Sequence, residues 1–241
     1  MLIKTEGIVI YKVKYSETSL VVHLLTKELG IKAFMIKGLR SKKSKTSVAL
    51  FDYMNMIDVV ASQRSGSELL TIREVEFSDD SGFQSLDIHK NTILLFIADF
   101  IHKILTNPGT DVALYQFVNH SVNYFVHSDR KIPDFHLWFI TRFAAFLGIN
   151  PIDNYEAHCS IFSIPQARFI PITLPVEGTF TASSSRMLHH YLNLSAEHCG
   201  ENMEPLNSRN QYLEEMLFYY RFHLEHFSGL KSHEILKSIF R

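Results

Sequence analysis

Cysteine is nearly absent: the 241 residues hold two, Cys159 and Cys199, and they form no close pair. A disulfide framework is therefore excluded as the organising principle, and reduced thiols in a cytosolic protein are the expectation. Long apolar runs are missing too. The longest strongly hydrophobic stretch, Ile93 to Ala98, falls far short of the roughly 20 residues that span a bilayer. The N-terminal MLIKTEGIVIYK carries Lys4 and Glu6 and lacks the apolar segment and cleavage site of a signal peptide. Neither sign of charge is in excess, since 24 Lys+Arg face 25 Asp+Glu, which argues against a protein that is basic all over. The motifs G-x-S-x-G, G-x-x-x-x-G-K-[ST] and G-x-G-x-x-G do not occur. With them go the nucleophile elbow, the P-loop and the dinucleotide fingerprint. The acids are scattered, so no carboxylate couple stands out. These absences together predict a soluble, cytoplasmic protein that is not an enzyme.

What is present is enough apolar residue, 46% against 20% charged, to bury a full core in one large domain or two smaller ones. The charge is unevenly spread. Residues 1–80 hold 12 basic and 10 acidic residues, whereas residues 81–241 hold 12 and 15. The positive charge is concentrated in KGLRSKKSK, residues 37–45, where Lys37, Arg40, Lys42, Lys43 and Lys45 alternate with small residues and no acid intervenes. A basic loop projecting from β-structure can grip the phosphates of a polyanion. The competing reading is a solvated loop without a ligand.

Residues 2–77 read as five strands: Leu2 to Tyr15, Leu20 to Thr26, Ile31 to Lys37, Val48 to Ser62 and Leu69 to Phe77. Each is rich in β-branched or aromatic residues, and Gly30 and Gly66 mark turns between them. The first is long enough to bend across two faces of a small barrel. Five short strands in under eighty residues suggest a closed or nearly closed barrel. The OB-fold is the commonest such solution with a nucleic-acid face, although an SH3-like barrel suits the same pattern. Across Ser78 to Ser85 the period changes. Ile93, Phe96, Ile97, Phe100, Ile101 and Ile104 then recur at three and four until Asn107-Pro108-Gly109, the signature of an amphipathic helix and its stop. Asp111 is placed to cap a second helix to about His127, and Pro133-Asp134 to open a third that Gly148 closes. Prolines 151, 165, 171 and 175 interrupt the pattern over about residues 150–181, with a hairpin expected around Gln166. Helices follow over Ser184 to Leu194, from a Ser208 cap onward, and over Ser232 to Phe240. The predicted class is α+β in two domains: an OB-fold barrel over 1–80 and a helical domain over 81–241.

Thirteen histidines invite a metal reading. However, His158-Cys159, His189-His190 and His198-Cys199 are adjacent pairs, which point apart on a strand and diverge by about 100° on a helix, and none has the spacing of a structural zinc site. His223 and His226 stand three apart without a third ligand nearby in sequence. A metalloenzyme or hydrolase built on these histidines is the weakest reading. Aromatic residues are plentiful in the barrel segment, namely Tyr11, Tyr15, Phe34, Phe51, Tyr53 and Phe77. Most should fill the core. Phe34 and Tyr53, close to the basic loop in sequence, are the candidates to face outward and stack on nucleic-acid bases.

The order of short motifs adds a resemblance. Tyr15-Ser16-Glu17-Thr18-Ser19-Leu20 is followed by Leu25-Thr26-x-x-x-Gly30 and then by Lys37-Gly38-x-Arg40-x-x-x-Ser44. Together with Phe146-Leu147-Gly148 and Leu230-Lys231-Ser232-His233-Glu234-Ile235-Leu236, this arrangement resembles the bacterial RecO DNA-repair, or recombination mediator, family. The resemblance implies an N-terminal OB-fold on a helical domain. It implies binding of single- and double-stranded DNA, annealing of complementary strands, and help in loading recombinase onto gaps coated by single-stranded-DNA-binding protein. The implied partners are RecR and the acidic C-terminal tail of the coating protein, for which Arg142 is one possible docking residue. Many members carry paired cysteines that bind zinc. Here Phe162 stands three residues after Cys159, and Ser183 to Arg186 supply no cysteine, so no zinc and no other cofactor is expected. The alternative is a non-enzymatic adaptor for proteins whose basic loop is merely solvated.

Overall fold

The structure is a computed structural model that describes residues 2–39, 47–63, 66, 68–78, 87–105, 109–171, 177–201, 204–230 and 232–239. The chain divides into two compact units, Met1–His127 and Ser128–Arg241. The first unit holds two helices in addition to its sheet.

In the first unit, β1 (Leu2–Lys14), β2 (Leu20–Thr26), β3 (Gly30–Ile36), β4 (Met56–Gln63) and β5 (Leu70–Phe77) form a closed barrel in the order β1-β2-β3-β5-β4. This is the OB-fold. The length of β1 explains the closure. Its first half pairs with β4 from Leu2↔Ser62 to Ile8↔Met56, and its second half pairs with β2 from Gly7↔Thr26 to Lys14↔Leu20. An irregularity between Val9 and Tyr11 bends it from one partner to the other. A short parallel pairing, Phe34↔Leu70 and Met35↔Thr71, joins β3 to β5. Val9, Val22, Leu24, Phe34, Phe51, Ile57 and Val59 fill the interior and are fully buried.

Two local features fix the barrel's connections. Thr26 donates its hydroxyl to Gly30 O at 2.6 Å and accepts from Leu29 N at 3.0 Å, while Gly30 adopts φ 68°. One buried hydroxyl thus closes the β2–β3 turn, which is why threonine and glycine stand four apart there. The second feature corrects an expectation. No strand begins at Val48: Ser47 caps a 3-10 turn over Val48–Phe51, its side chain accepting from Ala49 N. Asn55 Nδ2 donates to the carbonyls of Ala49 at 2.7 Å and Leu50 at 3.3 Å. These bonds satisfy the turn locally and delay β4 to Met56, leaving Leu50 and Phe51 packed in the barrel core.

Helix α1 (Ile88–Ile104) starts at Asp87, whose carboxylate accepts from His89 N and Lys90 N, and it packs on β1. Ile8 and Ile10 flank the core-facing Val9 and are fully buried as well. Helix α2 (Val112–His127) begins after Asp111, which accepts from Leu114 N at 2.9 Å.

The second unit contains α3 (Phe135–Phe143), the hairpin β6 (Cys159–Ser163) and β7 (Arg168–Pro171), α4 (Ala182–Asn193), α5 (Leu206–His223) and α6 (Ser232–Ile239). The hairpin turns through residues 164–167, around Gln166. Gly148 ends the 3-10 turn that extends α3. Helix α5 starts two residues earlier than the expected Ser208 cap, directly after Pro205. Its core is aromatic: Phe135, Phe139, Phe143, Phe162, Tyr212, Tyr219 and Tyr220 are all fully buried. The buried tyrosine hydroxyls of this core have partners, as burial demands. Tyr212 meets Thr141 Oγ1 at 2.6 Å, Tyr220 donates to Ile140 O at 2.5 Å, and Tyr219 donates to Ile149 O.

Candidate nucleic-acid interface

The first residues of the basic stretch leave the sheet at the end of β3. Strand β3 ends at Ile36, and Lys37 follows it, exposed. Gly38 takes φ 71°, which turns the chain out of the sheet where a Cβ would be strained. Leu39 then tucks back into the core, and its amide donates to Thr18 O at 2.9 Å. Arg40, Lys42, Lys43 and Lys45 lie outside the described residues.

The bond to Thr18 links two of the short motifs. Tyr15 N and Ser16 N both donate to Ser19 O, at 3.0 and 3.2 Å, closing the β1–β2 connection into a tight turn. A shallow cavity of about 40 Å³ beside that turn is lined by Lys14, Ser16 to Leu20, Leu39 and Val48. Leu39 precedes residues 40–46 and Val48 follows them at one residue's remove, so the described residues on either side of that segment both lie beside the hydroxyl-rich turn. Lys14, Tyr15, Ser16, Glu17 and Thr18 are exposed there.

Of the two aromatic candidates, Phe34 does not face outward as expected. Phe34 is fully buried and belongs to the barrel core, because its register opposite Val22 and Leu70 points it inward. It has no face to offer a base. Tyr53 is half-buried, and Lys12 Nζ lies 5.3 Å from its ring centroid while pairing with Asp52 at 2.7 Å. Burial, and secondarily Tyr11 and Asp99, push its phenol pKa upward. The aromatic that stands free on the rim is Tyr15, at 68% exposure. Its position beside a turn, one residue past the last lysine of β1, was the available signal.

Three of the histidines singled out in the sequence bond to neighbouring groups. His189 Nδ1 pairs with Asp153 at 2.8 Å, His198 Nδ1 with Ser195 Oγ at 2.9 Å, and His223 Nε2 with Ile164 O at 2.8 Å. Cys199 is fully buried, and burial, ahead of the nearby acids Asp134 and Glu197, pushes its thiol pKa upward. That is opposite to what a thiolate ligand needs. Among the described residues no group of three or more potential ligands could hold a metal ion, so they do not fit the zinc of the cysteine-bearing members. Arg142 is exposed and donates to Leu192 O. No helix among the described residues is long and apolar enough to cross a membrane.

An N-terminal OB barrel followed by helices is an architecture that suits a nucleic-acid-binding protein, and comparison with known proteins names the family. A family model for the N-terminal part of recombination protein O matches residues 1–80, the span of the barrel. Over the whole of both chains, the protein is 34% identical to DNA repair protein RecO of Phocaeicola vulgatus. It is 30% identical to that of Bacteroides fragilis and 27% to that of Christiangramia forsetii, again over the full length of each. The chain belongs to the RecO family of DNA repair proteins.

Proposed function

We propose that this protein is a recombination mediator that binds single- and double-stranded DNA, anneals complementary strands and helps load recombinase onto coated gaps. The observation that carries the reading is the rim: Leu39 and Val48, on either side of residues 40–46, lie beside the turn whose Ser16, Glu17 and Thr18 are exposed. Lys37, Arg40, Lys42, Lys43 and Lys45 supply the phosphate contacts. Five such contacts correspond to a log–log salt slope of up to roughly −4.5 on duplex and roughly −3.5 on single strands.

Annealing needs no chemical step. Two strands repel through their phosphates, and a positive segment that neutralises part of that charge lowers the barrier to their encounter. Contacts to phosphates rather than base edges leave the bases free to pair and make the binding tolerant of sequence. Hence no cofactor and no catalytic residue is assigned, and the site of action is the cytoplasm, on the nucleoid. RecR and the acidic tail of the single-stranded-DNA-binding protein are the protein partners in this reading.

The experiment is strand annealing, followed by fluorescence with and without single-stranded-DNA-binding protein on the strands. Acceleration in both settings is the expected result. A protein that binds a partner regardless of salt and has no DNA affinity would instead be an adaptor.

A further inference from the structure

The aromatic residues of the barrel differ sharply in what covers them. Phe34 and Phe51 are fully buried. Tyr11 lies parallel to His102 at 4.1 Å between centroids, with His23 edge-on at 5.5 Å. Tyr53 has Lys12 over its ring. Phe77 is 40% exposed, but it ends β5, the opposite end from Leu70, which pairs with Phe34 of β3. Tyr15 alone combines high exposure, 68%, with a place at the root of the basic segment. Among the described residues no ring or cation covers it.

Its backbone, by contrast, is fixed. The amides of Tyr15 and Ser16 converge on Ser19 O, and the same turn is bonded through Thr18 O to Leu39. An aromatic residue is thus held on an anchored turn next to exposed Lys14, and the turn is bonded to Leu39, two residues after exposed Lys37. A ring so placed can offer a face to an unpaired base whose phosphates are held by the neighbouring cations, and stacking on such a face is indifferent to which base it is. A duplex presents no such face, because its bases are stacked on each other.

We propose that Tyr15 is the base-stacking platform of this rim, specific to single-stranded DNA. The proposal rests on the DNA-binding reading above and adds to it a residue that distinguishes single strands from duplex. Glu17, exposed in the same turn, repels phosphate and keeps the backbone toward the lysines, so that a base rather than a phosphate meets the ring.

The test uses the full-length chain and fluorescence anisotropy on oligothymidylate and on a duplex of equal length, at several salt concentrations. Tyr15→Ala should weaken single-strand binding about tenfold, with the salt slope unchanged because no phosphate contact is lost. Duplex binding should change by less than about twofold. Tyr15→Phe, which keeps the ring, should bind like the parent protein. Tyr15→Trp should show indole fluorescence quenched by oligothymidylate, read against the parent chain, whose single tryptophan, Trp138, is only 5% exposed. Unchanged single-strand affinity of Tyr15→Ala, or equal losses on single strands and duplex, overturns the stacking role while leaving the DNA-binding reading standing. Absence of DNA binding by the parent protein overturns that reading itself.

Discussion

Helices α4 and α5 of the second unit and the barrel of the first treat their tyrosines in opposite ways. In the second, Tyr191, Tyr212, Tyr219 and Tyr220 are buried and their hydroxyls are hydrogen-bonded, to Asp134, Thr141, Ile149 and Ile140 respectively. In the first, Tyr11 and Tyr53 are half-buried and Tyr15 stands in solvent. A buried tyrosine with a satisfied hydroxyl adds apolar area and one directional bond, both of which fix a packing arrangement. An exposed one contributes little to stability and keeps its area for a ligand. The helical unit therefore reads as a scaffold locked by polar bonds inside an aromatic core, and the barrel as the part that keeps an aromatic ring in solvent at its rim.

That contrast can be broken at three depths. The largest effect belongs to the core. Tyr220→Ala removes a fully buried ring and leaves Ile140 O without its donor, at a cost of about 3–5 kcal/mol. Chemical denaturation should show the loss, with the DNA affinity of the folded protein unchanged; a loss of affinity in step with stability would mean that the helical unit shapes the rim.

A smaller effect is pH-dependent. Burial, and secondarily Arg209, pushes the pKa of His136 down from 6.5 to about 3. The unfolded imidazole takes up a proton below 6.5 that the folded one refuses. Stability from this group is therefore complete above pH 6.5 and is lost as pH falls toward 3, by up to about 1.4 kcal/mol per pH unit. Asp134 acts in the reverse sense. Its carboxyl is raised above 3.8, chiefly by burial, so its contribution is present below 3.8 and lost as pH rises through the folded value. His136→Leu should flatten the acid limb of a denaturation-against-pH profile between about pH 6 and 5, where the histidine dominates. An unaltered limb would place the acid sensitivity elsewhere.

The smallest effect is at the rim. Glu17→Gln removes an exposed negative charge from the turn beside the lysines and should tighten single-strand binding by about two- to threefold at low salt, fading as salt rises. Weaker binding would show that the carboxylate contacts the DNA directly.

Much of the barrel was legible from alternation, because each strand's apolar residues had to serve an enclosed interior. The Thr26-x-x-x-Gly30 spacing was visible as a motif, and its cause, one hydroxyl bonded across the turn, appears only in three dimensions. Val48 to Phe51 looked like strand because its residues suit one. Ser47 and Asn55, each bonding nearby backbone, decided otherwise. Phe34 was misplaced for a different reason: nearness to a loop along the chain says nothing of which face a strand residue takes, and its pairing with Val22 and Leu70 sends it inward. The end of the first unit at His127 depends on α1 packing over β1, which no local pattern announces. Tyr15 was visible as an aromatic beside a turn, but its freedom from cover was not.

The central claim is that the basic segment grips DNA phosphates at this rim, and its most direct measurement is the salt dependence of single-strand affinity. Lys42→Glu together with Lys43→Glu should lower the affinity on the order of 100-fold at low salt. The log–log slope should flatten from roughly −3.5 to roughly −2, with thermal unfolding unchanged. An unchanged affinity and slope would contradict the claim.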